Sequence, residues 1–279
     1  MNIAILSGKG GVGKTFVSVN LAATAGDAWY LDCDVEAPNG ALFLNPGGKL
    51  HVEQAPVAVQ VPAINNDLCQ GCRACADFCA YNALAFIGTP LLFEEMCHSC
   101  GGCMMVCPAG AITEKPREIG CIERYERSGL HCLGGRMNVG ESSGIPIIRE
   151  MLATEREGLT VVDCPPGTAC PAAECVKEAD YCLIVAEPSV YGTHNLRMAH
   201  DLVKFFNKPC GAVINKVVET PNLAEDYCTQ AGLPVLARIP FSKELAHRIA
   251  EAQVASETDP ELHATFAGLL EQIKKEAAR

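Results

Sequence analysis

Eight of the seventeen cysteines in this 279-residue chain fall into two runs of one spacing. Cys69, Cys72, Cys75 and Cys79 follow Cys-x2-Cys-x2-Cys-x3-Cys, and Cys97, Cys100, Cys103 and Cys107 repeat it, with Pro108 after the last. A disulfide framework belongs to short secreted chains; in a chain this long such a run points to metal or redox work. Four-thiolate zinc sites are built from Cys-x2-Cys pairs, whereas each run here is an overlapping triplet with a more distant fourth thiol, the pattern of iron–sulfur ligation. A second set of chemistry-bearing residues lies at the N-terminus, in Ser7-Gly8-Lys9-Gly10-Gly11-Val12-Gly13-Lys14-Thr15-Phe16. Glycines at 8, 10, 11 and 13 remove the Cβ atoms that would keep the backbone from wrapping a phosphate chain, so successive amides can point at its oxygens. Lys14 is then placed to reach β and γ phosphates, and the Thr15 hydroxyl to ligate magnesium.

These residues need elements to hold them. The loop follows the apolar run Ile3–Leu6, a buried strand, and opens into a helix through Phe16–Ala23, so a helix N-terminus faces the phosphates. Trp29–Asp32 reads as the second strand, ending in Asp32-Cys33-Asp34; carboxylates just past a strand end face the crevice where ligands sit in parallel sheets. Leu159–Asp163 reads as a buried strand whose terminal aspartate suits a magnesium-holding role. Tyr181–Ala186 and Ala212–Asn215 are further strands, each followed by a helical stretch. Ile119–Tyr125 and Leu130–Met137 also read as strands, and Gly144-Ile145-Pro146 starts a helix running toward Arg156. Repeated β-then-α units predict an α/β fold with a doubly wound, mostly parallel sheet. The cysteine repeat, with Ala83–Phe86 and Ala109–Ile112 in matching places after each run, is a two-fold module inserted into it. The expected division is residues 1–60 and 118–279 for a discontinuous nucleotide-binding domain and 61–117 for the insert.

Composition narrows the function classes. A net charge of −11 argues against a nucleic-acid surface, which needs clustered Lys and Arg. No apolar run approaches the ~20 residues of a membrane span, and the N-terminus enters a strand at once, so a cytoplasmic location is expected.

Lys-Gly-Gly-Val-Gly-Lys-Thr resembles the deviant Walker A loop of the MinD, ParA and Mrp ATPases, a group that includes the nitrogenase iron protein. The resemblance implies that Lys9 crosses to the nucleotide of a partner subunit, making an ATP-dependent homodimer, that Asp34 in the first switch acts on the attacking water, and that Asp163 with Pro165-Pro166-Gly167 forms the second. It also implies that Asn215, followed by Lys216, reads the adenine of ATP or ADP. Residues 65–116 resemble a bacterial two-cluster ferredoxin, in which three thiolates of each run and the fourth of the other hold one 4Fe-4S cube. This implies one cluster on Cys69, Cys72, Cys75 and Cys107 and a second on Cys97, Cys100, Cys103 and Cys79. Ala80 departs from that family's usual proline, which leaves the geometry near Cys79 open.

The whole order resembles MinD-superfamily ATPases carrying an inserted ferredoxin, and implies an ATPase whose nucleotide-dependent dimerisation is coupled to electron transfer with a redox or iron–sulfur partner protein. An Mrp-like cluster carrier and a MinD-like positioning ATPase are the alternatives. Cys33, Cys164 and Cys170 lie near the switches as candidates for a further shared cluster, although packing as small apolar residues is the expectation. The last helix carries a stripe of Leu262, Phe266, Leu269, Leu270 and Ile273. Its Glu261, Glu271 and Glu276 balance Lys274, Lys275 and Arg279, so it is expected to pack on the sheet rather than anchor to a membrane.

Overall fold

The computed structural model describes residues 1–278; Arg279, counted above with the last helix, lies outside the described residues. The organising element is a nine-stranded sheet of order β11-β10-β9-β1-β8-β2-β7-β6-β3. Its strands are β1 (Asn2–Leu6), β2 (Ala28–Asp32), β3 (Glu53–Ile64), β6 (Ile112–Arg127), β7 (Leu130–Met137), β8 (Leu159–Asp163), β9 (Tyr181–Ala186), β10 (Cys210–Val217) and β11 (Val235–Pro240). From β11 to β7 every neighbouring pair is parallel. The central strands are continuous apolar runs because helices cover both faces: β9 is buried at every position, and β1 at all but its first.

One face packs α5 (Ile145–Ala153), α6 (Cys170–Lys177), α7 (Val190–Phe205) and α8 (Leu223–Ala231), which bring Ile147, Val176, Leu196 and Cys228 against Ala4, Val162 and Ile184. The other packs α1 (Lys14–Ala25) and α11 (Pro260–Ala277), with Phe16 and Phe266 meeting edge to face at 5.9 Å. The terminal stripe is therefore core: Phe266, Leu269, Leu270 and Ile273 are buried. Among the described residues no helix is long and apolar enough to cross a membrane. The helix expected to run toward Arg156 stops at Ala153, and Arg156 turns back to donate to the carbonyls of Met151 and Leu152 at 2.6 and 3.0 Å. A cation on the last carbonyls of a helix satisfies acceptors that have no partner within it.

The sheet departs from a fully parallel one at its β3 edge. β6 runs antiparallel to β7, and β3 antiparallel to β6 from Glu53↔Arg124 to Ile64↔Ile112, with a one-residue shift in register between Val57 and Ala58. The strand expected at 119–125 is longer for this reason: before Gly120, where its pairing with β7 begins, it is hydrogen-bonded to β3 alone. Beyond the last pair of this ribbon sit the cysteine runs, with two short helices, α3 (Ala74–Phe78) and α4 (Gly102–Met105), and a hairpin of β4 (Leu84–Phe86) and β5 (Pro90–Leu92).

Candidate functional site

The N-terminal loop runs from the C-terminal end of β1 into α1. Gly13 stands at φ +99° and is held against Asn215: a Cβ there would lie 2.2 Å from Asn215 Nδ2, which itself donates to the Val12 carbonyl at 2.8 Å. The end of β10 thus braces the loop, and Lys216 adds a bond to the Gly11 carbonyl at 2.7 Å. At Gly8 a Cβ would come within 2.3 Å of the Asn195 carbonyl oxygen, so the loop also lies flush on α7. Thr15 is half-buried beside it, while Phe16 turns its ring into the core and leaves only its backbone for a ligand.

Lys14 and Asp163 are buried together, with Lys14 Nζ 2.6 Å from Asp163 Oδ1. Burial opposes the Lys14 charge, but the Asp163 carboxylate outweighs it and the ammonium is pushed up to about 12. Asp163 accepts two more bonds, from the hydroxyls of Ser18 at 3.0 Å and Tyr30 at 3.1 Å. Asp32 accepts from the backbone amides of Asp34, Asn39 and Gly40 and fixes the turn after β2. Burial, then repulsion from Asp163, raises its carboxyl to about 7. Asp34 is half-buried, and desolvation raises its carboxyl too, partly offset by attraction to Lys14. The loop and the two strand-end carboxylates therefore converge on one crevice, as chain order alone suggested. Lys9 leans across the ring of Tyr191, 5.4 Å from its centroid, and pairs with Glu187 at 2.5 Å. Lys216 approaches the other Glu187 oxygen at 3.5 Å.

The cysteine runs sort themselves differently from their order in the chain. Cys69, Cys72 and Cys75 line one cavity with Cys107, and Cys97, Cys100 and Cys103 line another with Cys79. The cause is a two-fold repeat in the backbone. Gly71 and Arg73 in the first run, and Ser99 and Gly101 in the second, occupy equivalent places and all have positive φ, as do Asn82 and Gly110 after the fourth thiols. Arg73 and Ser99 adopt this conformation at a cost of about 1–2 kcal/mol each, which is sustained only where the surrounding fold demands it. The two halves then grip each other reciprocally: Asn65 N–H donates to the Ala111 carbonyl and Phe93 N–H to the Ala83 carbonyl, each at 2.8 Å. This pairing aligns Ala83 and Leu84 with Ala111 and Ile112, so the matching stretch begins two residues later than the Ala109 expected.

At Ala80 the matching backbone bond is kept: Cys79 N–H bonds the Ala76 carbonyl at 3.2 Å as Cys107 N–H bonds that of Met104 at 3.4 Å.

The donor sets fit a cluster. Four thiols face each cavity, Cys75 and Cys103 are buried with Leu84 and Ile112 between them, and Ala111 N–H donates to Cys107 Sγ at 3.3 Å. Burial, with neighbouring thiols, raises the Cys75 and Cys103 thiols in the bare chain, so a cationic centre is what would favour their thiolates. Among the described residues no group of three or more His, Cys, Asp or Glu side chains is placed to hold a metal ion.

The family description "CobQ/CobB/MinD/ParA nucleotide binding domain" matches residues 3–255. The chain belongs to this family. Among its relatives, MJ0578, an uncharacterized protein of Methanocaldococcus jannaschii, is 36% identical over 224 residues, covering 77% of this chain and 78% of its own. MJ0579 of the same organism is 30% identical over 226 residues, covering 77% and 80%. The cell division ATPase MinD of Pyrococcus furiosus superposes with a TM-score of 0.60 at 17% identity, over 98% of each chain. The septum site-determining protein MinD of Pyrococcus horikoshii, complexed with Mg-ADP, gives 0.61 at 16% identity, over 98% of this chain and 96% of its own. At such identity the last two establish the fold: an α/β P-loop domain of the MinD/ParA type.

Three residues of this family member's crevice escaped the sequence. Ser18 lies one helical turn past Lys14, and Tyr30 two residues before Asp32 on the same strand face, so their spacing was a usable signal. Glu187 immediately follows β9, and the strand-end rule that found Asp32 and Asp163 also applies to it. Cys33 and Cys164 are fully buried and group with Cys175, whose thiol is held far up by bonds to Cys164 and then Cys33, which fits core packing. Cys170 is exposed at the start of α6.

Proposed function

We propose that this chain is an ATP-hydrolysing iron–sulfur protein in which ATP-dependent dimerisation controls electron transfer through two 4Fe-4S clusters, held by Cys69, Cys72, Cys75 and Cys107 and by Cys97, Cys100, Cys103 and Cys79. The observation that carries this reading is the sorting of eight thiols into two crossed sets of four, on a ribbon hydrogen-bonded into the sheet that also bears the phosphate loop. When bound, the clusters supply one-electron chemistry. The module, residues 61–117, keeps their walls apolar with Leu84, Leu92 and Ile112, and the Ala111 N–H draws charge from the Cys107 sulfur.

In the nucleotide crevice the amides of Gly8 to Phe16 receive the phosphates, with Lys14 neutralising them. Thr15 and Asp163 hold magnesium, Asp34 orients the attacking water, and Asn215 with Lys216 borders the base. Lys9 exchanges Glu187 for a phosphate of the facing subunit, a change that is easy because its side chain is 29% exposed. Four thiols about each cavity, with Cys75 and Cys103 buried, favour resident clusters over cargo, and therefore a redox partner protein over a cluster acceptor.

The test uses Asp34→Ala to retain ATP, with and without Lys9→Ala. Light scattering should show ATP doubling the 29.7 kDa mass, and Lys9→Ala returning it to one chain. Redox titration should show cluster potentials that depend on ATP in the dimer. A mass and potentials indifferent to ATP would remove the coupling, and transfer of iron and sulfide to an apo-acceptor would replace electron transfer with cluster delivery.

A further inference from the structure

The two cavities are not equivalent in their surroundings. The one lined by Cys69, Cys72, Cys75 and Cys107 is enclosed by residues 64–112 alone. Beside the other lies a cleft whose one wall is Tyr81, Cys97, His98 and Ser99 and whose opposite wall belongs to the nucleotide-binding domain: Glu141, Ser142, Ser143 and the first turn of α5. Tyr81 and His98 stack at 3.8 Å and stiffen the module's side of it.

The opposite wall is tied to the first switch. Val35 follows Asp34 directly and is 3% exposed. It fills a notch between two glycines: a Cβ on Gly135 would lie 2.5 Å from Val35 Cγ1, and one on Gly144 2.3 Å from Val35 Cγ2. The Val35 carbonyl accepts from Met137 N–H at 2.9 Å, where β7 gives way to the loop 138–144. A displacement of Val35 therefore has to move both ends of that loop, since neither glycine leaves it room. The loop is in turn pinned to the ribbon. Arg117 on β6 forms a two-pronged pair with Glu141 at 2.5 and 2.7 Å, the side chains 14% and 8% exposed. Two residues away, Lys115 pairs with Glu94 at 2.6 Å, on the segment that leads into Cys97.

We propose, building on the ATPase–cluster coupling above, that the first switch acts on one cluster only: motion at Asp34 and Val35 passes through the loop 138–144 and the Glu141–Arg117 pair to the Cys97–Cys100 loop, and leaves the Cys69–Cys75 set undisturbed. Glu141, Arg117 and Val35 are positioning residues in this scheme. The cluster on Cys97, Cys100, Cys103 and Cys79 is the nucleotide-responsive one, and the cluster on Cys69, Cys72, Cys75 and Cys107 keeps a constant potential.

The test takes the anaerobically prepared, cluster-loaded full chain with and without a non-hydrolysable ATP analogue. Hydrogen exchange should change at 138–144 and at 97–101 but not at 69–73. Redox titration followed by electron paramagnetic resonance, with signals assigned through Cys72→Ser and Cys100→Ser, should show one midpoint moving and the other fixed. Glu141→Gln, and independently Val35→Ala, should keep analogue affinity and abolish the shift. Equal movement of both midpoints, movement of the Cys69 set alone, or a response that survives both substitutions would overturn the inference while leaving the coupling intact. Absence of any response in the unaltered chain would end the coupling, and the inference with it.

Discussion

Substituting Lys14 by methionine tests how far the crevice is a structural unit as well as a binding site. The ammonium and the Asp163 carboxylate are 6% and 0% exposed and 2.6 Å apart. Removing one partner of such a pair strands the other charge, at a cost of about 3–5 kcal/mol. Asp163 keeps the hydroxyl donors of Ser18 and Tyr30, each worth about 1.5–3 kcal/mol to a charged acceptor, so the lower end, about 3 kcal/mol, is expected. For a chain of this size that corresponds to a fall in Tm of about 6–12 °C. Adding Asp163→Asn removes the stranded charge and should recover most of the loss, although the double variant binds no nucleotide. Calorimetry without nucleotide, at equal cluster content, reads both numbers. Lys14→Met melting at the wild-type temperature, or a double variant no better than the single one, would refute the buried pair as a source of stability.

Asp32 gives a pH signature. Its carboxyl sits at about 7 when folded against 3.8 in the free side chain, so the folded state holds a proton that the unfolded chain has lost, and stability falls as pH rises from about 4 to 7. Asp32→Asn should flatten that slope and raise Tm above pH 7; an unchanged profile would place the slope elsewhere. Asp34→Ala should bind ATP yet hydrolyse it at least about 100-fold more slowly, and wild-type turnover would remove Asp34 from the water site. Gly13→Ala should destabilise by about 2–3 kcal/mol, adding left-handed strain to the lost Asn215–Val12 bond; denaturant unfolding measures it, and a neutral effect would mean that the loop relaxes away from Asn215.

Much of this was legible because the governing forces are local. The β1–loop–α1 unit, Asp32 and Asp163 announce themselves through short apolar runs ending in polar residues, and parallel strands buried on both faces read as such runs. The cysteine repeat carries its own two-fold logic in its spacing. What could not be read was set by partners distant in sequence. The antiparallel ladder of β3 with β6 extends a strand well before the expected Ile119, because Pro116 and Arg117 make no periodic pattern and are ordered by Gln60 and Val59 opposite. The Glu141–Arg117 pair and the Val35 notch belong to the same class: a valine flanked by acidic residues and two glycines in a loop show nothing until the sheet brings them together.

The central claim is that each cluster draws three thiolates from one run and one from the other. Iron analysis and electron paramagnetic resonance of Cys79→Ser beside the unaltered protein test it most directly. About eight irons per chain should fall to about four, with the surviving signal that of Cys69, Cys72, Cys75 and Cys107. Loss of that signal instead, or zinc in place of iron in the unaltered protein, would contradict it.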